Sequence, residues 1–163
     1  MALMNIQDYL IDQNGKDWSE LLSGWSDLLP SSFTLWLVNR FGDAFTVFED
    51  GSVHMLDIGI GVIERVADNR DHFATQIDAG DYASNWLMTH LVDKCVAAGL
   101  KLERNQCYSY KVPPILGGGY AVGNVAPMNL SAHYSFLADI YRQIKKLPDG
   151  TRIKTIVIEK DRA

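Results

Sequence analysis

Hydrophobic and polar residues alternate with several different periods along the chain, and the first 30 residues show helical spacing. This pattern predicts two short helices, one at about 6–13 and one at about 18–28. Asp17 followed by Glu20 has the form of a capping box, which satisfies free backbone N–H groups at a helix start. Residues 1–30 are therefore expected to form a helical extension in front of the main fold.

A β-rich pattern begins after residue 30 and continues to about residue 67. It contains four runs of β-branched, aromatic and aliphatic residues, at 33–40, 45–49, 52–58 and 61–66. The Asp50-Gly51 pair between the second and third runs is typical of a tight hairpin turn, so these two strands should pair antiparallel. The first run, FTLWLVNR, is apolar on both alternating faces, which predicts an inner strand covered by helices.

Helical spacing returns in the second half of the chain. Three helices are expected there, near 71–77 with a stop at Gly80, over 84–98, and over 131–147 with Ser131 as the cap. Strands are expected over 107–112 and 151–159, with a loop rich in proline and glycine at 113–130. Together these elements predict a single α+β domain over residues 1–163, with its core at 31–159.

Composition and charge narrow the classes of protein. The chain has 163 residues, of which 47% are hydrophobic and 21% charged, as is typical of a folded domain. The formal net charge of -5 at pH 7 disfavours binding to nucleic acid and suits a basic protein partner. The N-terminal residues lack the positive charge and the apolar run of a signal peptide, and no 18 apolar residues run together, so we expect a cytoplasmic protein that does not associate with membranes.

The residues that could carry chemistry do not form a known catalytic or metal-binding motif. Cys95 and Cys107 are too few for a disulfide framework or a zinc site, and the four histidines lack the spacing of metal ligands. We therefore expect no catalytic residue, no metal and no cofactor. His54 and Asp57 stay open, because each is either an ordinary sheet residue or part of a pocket beside the glycine-rich loop.

The loop that starts at Pro113 has the composition of a binding surface. Two prolines stiffen it, glycines let its backbone bend sharply, and tyrosines flank it. Its three consecutive glycines do not match a phosphate-binding motif, which needs a helix directly after them. The predicted partner-binding residues are Tyr108, Tyr110, Pro113, Pro114, Gly117, Gly118 and Tyr120. The alternative is that the tyrosines pack beneath the loop.

Four segments of the chain resemble a known family as a set. They are FTLWLVNRFGDAFTVFEDGSVHMLDIGIGVIERVADNRDHF, NWLMTHLVDKCVAAGL, QCYSYKVPPILGGGYAVGN and HYSFLADIYRQIKKLPDG. Over roughly residues 25–150 they resemble the C-terminal domain of type VI secretion immunity proteins. The resemblance implies a SUKH-like α+β fold, in which helices flank a mixed, largely antiparallel sheet.

The same resemblance implies a function without catalysis, namely binding and neutralising a secreted toxin inside the cell that produces it. The toxin would be encoded nearby, and in the better-known members it is a DNase. In those members a further domain precedes this one, whereas here only about 30 residues precede the similar stretch. We therefore expect that first domain to be absent or much shortened.

Two other functions remain open from the residues alone. The first is a small-molecule or metal-binding module, with or without enzymatic activity, that uses His54, Asp57 and the glycine loop around one pocket. The second is a scaffold or oligomeric domain with no separate activity. Convergence of the pocket residues would favour the first, and exposed apolar patches would favour the second.

Overall fold

A computed structural model describes residues 5–79 and 81–151 of the chain. Within these ranges the protein is an α+β fold with two antiparallel sheets and five α-helices, which confirms the predicted fold class. The predicted helix stop at Gly80, and the predicted last strand beyond Thr151, lie outside the described residues.

The larger sheet has four strands that follow each other in sequence order. They are β1 (Thr34–Val38), β2 (Ala44–Val47), β3 (Val53–Asp57) and β4 (Val62–Ala67), and all neighbours are antiparallel. The predicted turn between β2 and β3 is confirmed, since Gly51 has a φ of 86° and its amide donates to the Phe48 carbonyl at 2.9 Å. Glycine adopts this φ without a steric penalty.

β1 lies at the edge of this sheet, so the prediction that FTLWLVNR is an inner strand is wrong. The N-terminal segment covers part of the outer edge, because the Ile11 amide donates to the Val38 carbonyl at 2.8 Å. Leu35 packs against the apolar cluster on one face of the sheet, and Trp36 packs against the cluster on the other face. The strand is apolar on both sides for that reason, and this pattern does not distinguish an edge from an interior position.

A second, two-stranded sheet pairs β5 (Gln106–Tyr110) with β6 (Val125–Asn129). β6 occupies the end of the region that the sequence predicts to be loop. Pro127 lies within it and glycines precede it, so the composition of the region indicates a loop although the backbone is extended. The chain between the two strands contains the 3₁₀ turns Pro114–Leu116 and Val122–Asn124.

The helices lie near their predicted places but differ in their ends. They are α1 (Trp18–Leu21), α2 (Arg70–Asp78), α3 (Asp81–Trp86), α4 (Thr89–Ala97) and α5 (Leu130–Ile144), with short 3₁₀ turns at Ile6–Tyr9 and Ser23–Trp25. The Asp17 cap is confirmed, because its carboxylate accepts a hydrogen bond from the Glu20 amide at 3.1 Å. Asn129 caps α5 instead of Ser131, since the Asn129 side chain accepts from the Ser131 amide at 2.9 Å.

The single helix predicted over 84–98 is two helices, because the helix is interrupted at Met88. Met88 has φ 53° and ψ 41°, a left-handed conformation that is uncommon for a residue other than glycine. Leu87, Met88, Leu91 and Val92 keep helical spacing across the break, and all four are buried. Hydrophobic periodicity therefore gives no sign of the interruption.

The core lies on both faces of the four-stranded sheet. On one face α1 and α5 pack with Trp25, Leu56, Tyr134 and Leu137, and on the other α2 and α3 pack with Phe45, Phe73 and Trp86. A third cluster joins α4 to β5 and β6 around Phe41. The sheet is covered on both faces, and two polar side chains near its strand ends, Asn39 and Asp43, are buried as well.

A buried amide at the end of β1 joins three parts of the fold. The Oδ1 atom of Asn39 accepts hydrogen bonds from the amides of Phe41 at 2.9 Å and Asp43 at 3.0 Å. Its Nδ2 donates to the Asp43 carboxylate at 3.0 Å and to the Trp86 carbonyl at 2.9 Å. Asn39 is fully buried, so water could not take its place as the hydrogen-bond partner of these four groups. This side chain therefore holds the β1–β2 turn against the end of α3.

Asn39→Ala should lower the free energy of unfolding by about 3 kcal/mol, because it leaves several buried polar groups without a partner. Asn105→Ala, at an exposed position, is the matched control and should change it by less than about 0.5 kcal/mol. Urea unfolding of the two variants and the wild type measures both effects. A cost below about 1 kcal/mol for Asn39→Ala would show that this network does not hold the elements together.

Candidate functional site

A cavity of about 400 Å³ opens where β3 ends, beside the break between α3 and α4. Asp57 comes from the last position of β3, and Asp43 comes from the turn that leads into β2. α4 contributes polar side chains on the opposite wall, and β5 and the following loop contribute two tyrosines. The polar and charged groups of the lining include Asp43, Asp57, His90, Lys94, Tyr110 and Tyr120.

The two carboxyl groups are held in place mainly by backbone amides. Asp43 is only 3% exposed, and it accepts a hydrogen bond from the Ile58 amide at 3.1 Å in addition to the one from Asn39. The Oδ1 atom of Asp57 accepts from the amides of Gly59 at 3.0 Å and Ile60 at 3.3 Å. Their positions are thus set by the turn that ends β3.

Burial is the main influence on the charge of this pair. It raises the pKa of the Asp43 carboxyl well above its usual value, and the nearby charge of Asp57 raises it further. Burial also raises the pKa of Asp57, although the amides of Ile60 and Gly59 oppose the shift. Negative charge in the cavity is therefore costly in the free protein, and a cation placed there would reduce that cost.

The tyrosines of the predicted surface divide between the interior and the exterior. Tyr108 is buried, and its hydroxyl donates to the Leu100 carbonyl at 2.7 Å. Tyr110 is 5% exposed and lies inside the cavity, where its hydroxyl contacts the Met88 Sδ at 3.8 Å. Tyr120 is 53% exposed, so it lies at the mouth. Tyr108 is therefore not part of an exposed surface, and Tyr110 can be reached only through the cavity.

The proline and glycine residues of the prediction bring the loop next to Asp57. Pro113 is buried and Pro114 is half-buried, and the 3₁₀ turn that follows ends at Gly117 with a φ of 91°. The Ile115 amide donates to the Gly59 carbonyl at 3.1 Å, two residues beyond Asp57. The loop is therefore attached to the turn that positions one of the cavity carboxyls.

Gly118 packs directly on the chain that leaves β5. A Cβ atom at this position would lie 1.7 Å from the Val112 carbonyl oxygen. Nearby, Asn124 Nδ2 donates to the carbonyls of Val112 and Gly119, both at 2.9 Å, and its Oδ1 accepts from the Val112 amide at 2.9 Å. We refer to residues 112–120 as the clamped loop, because these bonds close it on itself.

His54 lies away from this cavity. Its ring stacks on Phe48 at 3.7 Å between centroids, and it lines a separate cavity with Arg65. It extends from the opposite face of β3 to Asp57, as the alternation of a strand requires. The hypothesis of one pocket made by His54, Asp57 and the glycine loop is therefore wrong, although Asp57 and the loop do meet. Among the described residues there is no group of three side chains able to hold a metal ion.

Sequence reasoning missed several residues of the cavity, above all Asp43. Asp43 adjoins Gly42, a pair that is typical of an exposed turn, and nothing in the local pattern indicates that the turn is buried. His90 and Lys94 line the cavity from α4, which begins after the left-handed residue Met88. The raised pKa of Asp43 shows its unusual position, but only once the fold is known.

The remaining buried titratable groups have structural roles. His133 is fully buried between the Phe41 carbonyl, 2.8 Å from Nε2, and the Ser109 hydroxyl, 2.7 Å from Nδ1. Burial lowers the pKa of His133 to about 4, so it is neutral and can donate to Phe41 while accepting from Ser109. Cys95 and Cys107 are buried free thiols, and burial raises the pKa of both. Neither has the character of a nucleophile.

Gly118→Ala should lower the free energy of unfolding by about 1–3 kcal/mol, because the new methyl group forces the backbone of the clamped loop away from Val112. Gly119→Ala is the matched control, since a Cβ there meets no atom within 4 Å and the change should stay within about 0.5 kcal/mol. Urea unfolding compares the two variants. Equal stability of both would show that the loop is not closed in this way.

Comparison with known proteins finds a similarity in the second half of the structure. Residues 67–141 match the family model described as the C-terminal domain of the T6SS immunity protein Tdi1. The matched part contains α2, α3, α4, the clamped loop and most of α5, but neither Asp43 nor Asp57. It therefore includes one wall of the cavity and its mouth.

A solved structure supports the fold. The crystal structure of Atu4351 from Agrobacterium tumefaciens superposes with a TM-score of 0.54 at 20% identity, over 81% of this chain and 67% of that chain. No curated protein matches the chain. In the part of the chain that is described, no helix has the length and apolarity needed to cross a bilayer. Over residues 67–141 the chain is similar to the C-terminal domain of a type VI secretion immunity protein, which confirms the predicted resemblance.

Proposed function

We propose that the chain is a non-catalytic immunity protein that binds and neutralises a secreted toxin of the type VI kind. The match of residues 67–141 to an immunity family is the observation that carries the proposal. Neutralisation takes place in the cytoplasm of the producing cell, before the toxin can act on that cell. The toxin is encoded beside the gene of this chain, so that both proteins are made together.

The surface that we propose for the toxin is the cavity face, which we define as the cavity together with Ile60, Val112 and Tyr120. All three side chains are large, apolar and exposed, and they lie on the clamped loop or next to its contact with Gly59. Interfaces are enriched in aromatic residues and tend to place a few of them at their energetic centre. A closed, rigid loop also loses little conformational freedom when a partner binds.

Charge supports a basic toxin, and we propose a DNase. A protein that acts on DNA attracts the phosphate backbone through a positively charged surface. The net charge of -5 on this chain, and the carboxyls in its cavity, are complementary to such a surface. Complementary charge speeds the encounter of two proteins and disfavours partners of the wrong sign.

A small-molecule binding module is the second candidate, because the cavity volume of about 400 Å³ lies in the range of ligand sites. Its form differs from the one predicted from the sequence, since Asp57 and the clamped loop contribute and His54 does not. A small-molecule binding module would bind its ligand with the same affinity whether or not the cell carries the toxin gene.

Co-expression with the toxin encoded nearby should restore growth, and the two proteins should co-purify as a complex. Tyr120→Ala should weaken the complex about tenfold or more, because it removes the exposed aromatic side chain at the cavity mouth. Val96→Ala removes an equally exposed apolar side chain outside the cavity lining, and should leave affinity unchanged.

This experiment tests the immunity function and the position of the interface separately. If the wild-type chain neither protects cells nor co-purifies with the toxin, the immunity function is contradicted. If it does both and Tyr120→Ala binds as tightly as the wild type, the function stands and the cavity face is not the interface.

A further inference from the structure

We infer that the cavity receives one arginine side chain of the toxin, with its guanidinium group held by Asp57 and covered by the ring of Tyr120. This inference rests on the proposed function, and it adds the chemical group that the cavity recognises. The cavity is graded from a buried floor to an open mouth, since Asp43 is 3% exposed, Tyr110 5% and Tyr120 53%. A site of this depth suits a single extended side chain better than a flat contact surface.

Two polar groups of the cavity lining, one on the partly buried Asp57 and one on the buried Tyr110, retain capacity for a ligand. Both hydrogen bonds that Asp57 accepts from described residues reach its Oδ1 atom, so the second carboxylate oxygen has none from that part of the chain. Among the described residues, the one hydrogen bond of the Tyr110 hydroxyl reaches the thioether sulfur of Met88 at 3.8 Å, and sulfur is a weak acceptor. A nearly buried hydroxyl with a weak acceptor, beside a carboxylate oxygen that can still accept, can hold the N–H donors of a ligand.

The lining selects a cation over other occupants. An anion would meet two carboxyls, and an apolar side chain would offer no hydrogen bond to the second carboxylate oxygen of Asp57. Lys94 also lines the cavity, yet no ion pair among the described residues joins it to the carboxylate of Asp43 or Asp57. A cationic partner for either carboxylate is thus left to an external group.

Arginine fits this lining better than lysine does. Its planar guanidinium can donate two parallel hydrogen bonds to a carboxylate and can also stack on an aromatic face. Tyr120 supplies such a face at the mouth, where its ring meets Tyr110 edge-on at 5.9 Å between centroids. A lysine ammonium is a compact charge that is strongly hydrated, and it gains less from a flat aromatic wall.

Binding of the isolated group can be measured without the toxin. N-acetylarginine methylamide should shift the amide signals of Gly59, Ile60 and Tyr120 in an NMR titration of the folded protein, with an affinity of about millimolar. The corresponding citrulline compound has the same shape and no charge, and it should cause no saturable shift. Equal shifts from both compounds would overturn the inference.

Three variants sharpen this titration. Asp57→Asn should abolish saturable binding, while its amide oxygen can still accept from Gly59 and Ile60 and so keep the turn. Glu103→Gln makes the same change in net charge at an exposed position outside the cavity, and it should bind as the wild type does. Lys94→Gln should bind the arginine compound more tightly, because it removes a like charge from the wall. Thermal unfolding confirms that each variant is folded.

The toxin itself provides the second test. One toxin arginine changed to alanine should weaken the complex about tenfold or more, and Asp57→Asn should add no further loss in that background. Losses that add for every toxin arginine would overturn the inference, although co-purification of the wild-type pair would still support the immunity function. If the arginine compound binds and the wild-type pair does not form, the immunity function alone is contradicted.

Discussion

The hydrogen bonds between Asn39 and Asp43 hold together the parts of the fold that build the cavity. Asn39 also donates to the Trp86 carbonyl at 2.9 Å, and Asp43 accepts from the Ile58 amide at 3.1 Å. One buried network therefore positions the ends of β1, β3 and α3 relative to each other. Apolar contacts tolerate several packings of similar energy, whereas a fully bonded polar network in the interior specifies one.

This network has an electrostatic consequence for function. Bringing Asp43 into the interior beside Asp57 raises the pKa of both carboxyls, chiefly through burial. In the free protein, burial makes the ionised form of these two carboxyls energetically costly. A bound cation would stabilise the ionised form. The proposed recognition of a basic toxin uses the same residues that build the cavity, since these residues also supply its carboxyl groups.

Local sequence patterns predict the parts of this fold that a few neighbouring residues determine, such as the Asp17 cap and the Asp50-Gly51 turn. They also predict the fold class, because helical and strand periods occur in separate blocks. Contacts between distant segments determine three features that these patterns do not predict. They are the edge position of β1, the helix interruption at Met88 and the burial of Asp43. The composition of the chain after Pro113 predicts a loop. Packing then determines that Tyr120 is exposed while Tyr108 and Tyr110 are buried.

The proposed neutralisation requires that the toxin binds at the cavity face. Amide hydrogen exchange of this chain, with and without the toxin encoded nearby, tests it most directly, because exchange reports protection along the whole backbone. We expect slower exchange in the complex at 57–60, 88–94 and 112–120, with little change at 48–54. Protection at 48–54 and none at the three cavity segments would contradict the account.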